Sequence, residues 1–61
     1  MKIGILDART YKVVYITEVN LAGGNYKPGA KEYEDLAWGA AVEDSAVKDE
    51  DRKNYVFQPM P

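Results

Sequence analysis

Tyr11-Lys12-Val13-Val14-Tyr15-Ile16-Thr17-Glu18-Val19 decides the fold, because nearly every residue in it is β-branched or aromatic. Such side chains suit a pleated, half-buried surface, so this is the strongest strand in the chain. Its alternate positions read Tyr11, Val13, Tyr15, Thr17, Val19 on one side and Lys12, Val14, Ile16, Glu18 on the other. Neither set is cleanly polar, and both faces are expected to be at least partly covered. Upstream, Lys2 to Leu6 is short and apolar, and the turn Asp7-Ala8-Arg9-Thr10 joins it to the strong strand as a hairpin over residues 2–19.

Downstream, residues 20–29 are loop by composition, with Gly23 beside Gly24 and Pro28 ahead of the next element. Gly24 and Gly29 have the spacing of the outer glycines in a phosphate loop, GxxxxGK. Ala30 stands at the lysine position, however, Lys31 comes one residue late, and no Ser or Thr follows. Phosphate would lose its ammonium and magnesium its hydroxyl, so the segment reads as a connector. A helix is predicted over residues 30–43, with Gly29 as N-cap and Glu32, Glu34 and Asp35 near the positive end of its dipole. Ala30, Tyr33, Leu36, Ala37, Ala40 and Ala41 form its apolar stripe, small enough for close approach to a sheet. Residues 44–54 are polar and predict a turn or a single helical turn. Tyr55-Val56-Phe57-Gln58 is a last strand over residues 55–58, stopped by Pro59. The expected fold is α+β: one β-β-α-β domain over residues 1–61, with a three-stranded, mainly antiparallel sheet and one helix on one face. The uniformly apolar first strand is placed in the centre, giving order 2-1-3, with a right-handed parallel crossover to the second strand as the other option.

Composition narrows the chemistry. The chain has 61 residues, 46% of them apolar and 30% charged, with no cysteine and no histidine. Disulfides, Cys or His metal sites, thiol nucleophiles and imidazole acid–base chemistry are therefore excluded. A carboxylate pair has the groups for glycoside cleavage, but so short a chain can hardly enclose a pocket of several hundred Å³. No enzyme activity, catalytic residue, metal or cofactor is expected. A chain of this size has little core with which to offset backbone entropy, and association is the stabilising device left to it. The apolar runs fall far short of the ~20 residues that span a bilayer, and Asp7 and Arg9 end the opening Met1 to Leu6 stretch too early for a signal peptide. A cytosolic location without membrane contact is expected.

Residues 1–30 carry four basic and two acidic side chains, and residues 31–61 carry four basic and eight acidic ones, which together give the net charge of −2. Four scattered basic residues make no nucleic-acid surface. The acidic half suits a basic patch on another protein, or simply a solvated helix face. Trp38 and Val42 lie about 130° and 170° from the middle of the apolar stripe, on the side shared with Asp35. Trp38 thus has two readings: it enters a partner, or Val56, Phe57, Pro59 and Met60 of the tail cover it. Trp38, Val42, Asp35, Glu32 and Glu43 are the candidate partner-binding residues. Tyr11, Val13 and Tyr15 are the candidate self-association face, because one helix covers only one side of a sheet, and an unprotected strand edge is the alternative for a homodimer. Gly39, mid-helix, costs about 1 kcal/mol relative to alanine; a closely approaching backbone would account for it, as would tolerance.

Lys31-Glu32-Tyr33-Glu34-Asp35-Leu36-Ala37-Trp38 on an acidic helix, with Tyr55-Val56-Phe57 closing a small sheet, resembles the short proteins with which bacteriophages inhibit host machinery. These include anti-CRISPR and other anti-defence proteins and inhibitors of host polymerase. The resemblance rests on size, acidity and element order across the whole chain. It implies stoichiometric binding to a host defence or transcription protein with a basic surface, in the host cytoplasm and without catalysis. Two other roles compete with it: an acidic mimic that occupies a nucleic-acid-binding channel, and a small-ligand or sequestering module with its site between subunits.

Overall fold

The computed structural model describes residues 1–20 and 31–61. Two strands, β1 (Lys2–Asp7) and β2 (Val13–Glu18), precede the helix α1 (Lys31–Glu43), and a 3-10 helix (Asp49–Asn54) leads into β3 (Tyr55–Met60). The sheet order is β2-β1-β3, with both pairings antiparallel. The expected α+β architecture and central first strand are therefore present, and α1 packs on one face. No helix among the described residues is long and apolar enough to cross a membrane. The glycine-rich connector lies outside the described residues, apart from Asn20.

The turn is built from local hydrogen bonds. The Asp7 carboxylate accepts the Arg9 amide at 2.7 Å, and the Tyr11 amide donates to the Asp7 carbonyl at 2.7 Å. Tyr11 closes the turn at φ 58°, a left-handed conformation unusual for a bulky side chain. Beyond it the ladder is irregular. Ile5 pairs with Tyr15 but Leu6 pairs with Val13, so Val14 is an extra residue in a β-bulge.

This bulge corrects the expected strand faces. Cross-strand partners share a face, so Tyr15 goes with Ile5 toward α1 while Val13 goes with Leu6 to the opposite side. Tyr11, Val13 and Tyr15 do not form one surface. The last strand is also longer than expected, since it continues through Pro59 to Met60. Met1 and Val19 exchange both backbone bonds, at 2.8 and 3.0 Å, which sets the alternation along β1: Ile3 and Ile5 bond toward β2, and Gly4 and Leu6 toward β3. Gln58 and Val56 then bond to β1, and Pro59 turns its missing N–H to the outer edge, where no ladder bond is lost.

Ile3, Ile5, Val19, Tyr33, Ala37, Trp38, Ala41 and Val47 form the core, with Tyr15, Val42, Tyr55 and Phe57 packed against it. The helix is rolled about 60° from the predicted stripe. Trp38 is 3% exposed, in line with the reading in which its own chain covers it, whereas Leu36, expected on the core-facing stripe, is 51% exposed. Alanines at positions 37, 40 and 41 leave several faces small enough to meet the sheet, and burying an indole removes more apolar surface than burying a leucine. At the far end the Ala46 amide bonds to the Ala41 carbonyl and the Ser45 amide to the Val42 carbonyl, both at 2.9 Å, with Ser45 at φ 60°. This is a Schellman cap with serine where glycine is usual.

Candidate protein-interaction surfaces

Trp38 is covered by its own chain. Its indole N–H donates to the Asp49 carboxylate at 2.9 Å, and its ring lies 5.5 Å from Tyr55 and 6.2 Å edge-on from Phe57. Arg52 locks the cover in place, bonding Asp35 of α1 at 2.5 Å while its guanidinium sits 5.6 Å from the Phe57 ring centre. Of the predicted tail cover, Phe57 takes part directly, together with Tyr55, which the sequence did not single out. Trp38 is thereby removed from the accessible surface, Val42 is half-buried against the core, and Asp35 is engaged within the fold. The signal for this cover was the spacing of Asp49 and Arg52 ahead of an aromatic strand, legible only once the 3-10 helix is folded against α1.

Glu32 and Glu43 remain exposed, and the roll of the helix joins them to different neighbours. Glu32, Leu36, Gly39 and Glu43 line one outward stripe of α1, within about 60° of one another on the helix. Leu36 is the one large apolar side chain in it. A methyl group built on Gly39 would meet nothing within 4 Å, so no contact inside the described chain accounts for a glycine there.

The second surface is the side of the sheet away from α1. Its side chains fall in three rows across β2, β1 and β3: Val13–Leu6–Val56, Ile16–Gly4–Gln58 and Glu18–Lys2–Met60. Val14 of the bulge adds to the first row. A β-carbon on Gly4 would lie 2.9 Å from Sδ of Met60, so the methionine is laid over the glycine. Leu6 is buried outside the main core, whereas Val13, Val14, Ile16 and Val56 are exposed, Ile16 by 49%. Tyr11, 68% exposed, stands at the turn end.

Tyr15 is half-buried on the helix side, and its hydroxyl donates to the Asp44 carboxylate. That hydrogen bond raises the phenol pKa above its ordinary value, because ionisation would place two negative oxygens together. Asp7 is shifted downward, chiefly by the Arg9 amide, which favours the carboxylate. Among the described residues no group of three or more acids is placed to hold a metal ion, and no pocket is found. Comparison with protein-family models, curated proteins and solved structures finds no match to this chain.

Proposed function

We propose that this chain is a non-enzymatic, protein-binding inhibitor that acts by stoichiometric attachment of the outer face of α1 to a basic surface on a host protein. One observation carries the reading: Leu36 is 51% exposed in a stripe that also holds Glu32, Gly39 and Glu43. An apolar anchor with an acid on either side of it along the helix suits a pocket flanked by lysine or arginine, where the acids steer the encounter and the leucine slows release. Gly39 lets a partner backbone come closer than any other residue would. That the partner is a defence or transcription protein of a phage-infected cell is what the resemblance to small phage inhibitors implies.

The nucleic-acid mimic draws less support, because Asp35, Asp44 and Asp49 are engaged with Arg52, Tyr15 and Trp38 and do not stand free as a row of phosphate substitutes. The decisive test uses immobilised chain in a bacterial lysate. Wild type should retain one host protein in equimolar amount, and Leu36→Ala, folded to the same extent, should retain much less. Equal retention by both would refute the helix face as the binding site.

A further inference from the structure

We propose that the 3-10 helix is a lid that lifts off Trp38 as a unit while the sheet and α1 stay folded. This does not rest on the helix-face reading. The segment is pinned at both ends. Upstream, Val47 sits in the core behind the capped end of α1; downstream, the Asn54 carbonyl accepts the Ala8 amide at 3.0 Å before Tyr55 enters the sheet. Lys48 and Tyr55, which flank the 3-10 helix, both have extended backbone. A change of dihedral angles at those two ends is enough to swing what lies between them.

Between its ends the segment is weakly held. No residue of the 3-10 helix is buried, so lifting it exposes little apolar surface beyond the indole edge it covers. Among the described residues two side-chain contacts tie it to α1. Asp49 accepts the Trp38 indole N–H at 2.9 Å, and Arg52 bonds Asp35 at 2.5 Å. The Arg52 and Asp35 side chains are 38% and 47% exposed, and an ion pair so open to water holds weakly. The i→i+3 bonds inside a 3-10 helix are also poorer in geometry than those of an α-helix. The rest of the fold is held differently: β1 is paired on both sides, and Ile5 and Ala37 are wholly buried. Regions with few buried contacts and solvent-facing bonds open at lower free energy than such a core.

Tyr55 and Phe57 belong to β3 and stay against the indole when the lid lifts. The part uncovered is the N–H edge of the ring, together with the Asp35 carboxylate three residues earlier on the same side of α1. The open form thus presents a donor without its acceptor beside a carboxylate without its cation, both of which the closed chain hides.

Native-state hydrogen exchange tests the lid, because Trp38 is the single tryptophan and its indole N–H is the proton beneath it. At low urea the indole proton should exchange at a rate that does not change with urea, with protection roughly tenfold or more below that of the Ile5 and Ala37 amides. Exchange at those two amides should accelerate with urea, as unfolding of the whole domain requires. Equal protection and equal urea dependence at all three sites would overturn the proposal, since Trp38 would then open only with the entire fold. Arg52→Gln should speed indole exchange about two- to fivefold with an unchanged far-ultraviolet spectrum. Indole exchange unaltered in a folded Arg52→Gln variant would overturn the Arg52–Asp35 pair as the tie that holds the lid. Should that variant unfold, the urea dependence in the wild-type chain decides by itself.

Discussion

Ser45 holds a left-handed conformation that costs an L-residue about 1 kcal/mol relative to glycine. Ser45→Gly should therefore stabilise the domain by about 1 kcal/mol in urea melts with an unchanged slope, and a loss of stability would show that the serine side chain has a role the cap does not require. Trp38 lies at the opposite extreme. Trp38→Ala empties a site enclosed by α1, the 3-10 helix and β3, and should cost about 3 to 5 kcal/mol. In so small a domain that approaches the whole stability, and the cost should not depend on protein concentration. Asp7 contributes to the acid limb. Its folded pKa lies below its unfolded one, so its contribution is present above the unfolded value and is lost as pH falls through the folded value. Asp7→Asn should flatten the fall in melting temperature below about pH 4, and an unchanged slope there would remove the Asp7 turn from the account.

At the scale of elements, the helix shows what the sequence carries and where it stops. Its existence and its end near Glu43 follow from periodicity, but its rotation does not, because alanine at positions 37, 40 and 41 weights several faces almost equally. The choice between Trp38 and Leu36 depends on Asp49 and Arg52, which are distant in sequence and bear on α1 only after the 3-10 helix folds. The strands show a similar limit. The hairpin and its turn were legible from composition, whereas the bulge at Val14 leaves no local mark in a run of β-branched residues and yet moves Val13 to the other face. Pro59 read as a stop because the direction in which its backbone faces depends on the register with β1. With Trp38 buried and Leu36 outward, Gly39→Ala becomes informative. It should stabilise the fold by up to about 1 kcal/mol, since the added methyl meets nothing, while weakening partner binding severalfold. Stabilisation with unaltered binding would mean that no partner backbone approaches there.

Over the whole molecule, charge and apolar surface are divided between two sides. The helix side is acidic with a single outward leucine, and the open side of the sheet is apolar with Lys2, Glu18 and the Met1 amine gathered at one end. Element order followed from the sequence because it hangs on strong local patterns, and the preference for a central β1 followed from its uniformly apolar run. The candidate site was legible only in part: Glu32 and Glu43 were found by charge, Leu36 was assigned to the core, and Trp38 was hidden by contacts that no periodicity reveals. The claim that the acidic helix face docks on a basic protein is tested most directly by the association rate with the captured partner, measured against ionic strength for wild type and for Glu32→Lys/Glu43→Lys. Both substitutions are exposed and leave the Asp35–Arg52 pair intact. Wild type should associate more slowly as salt rises, and the double variant should be at least tenfold slower at low salt with a flat or inverted dependence. Identical rates and slopes for the two proteins would contradict it.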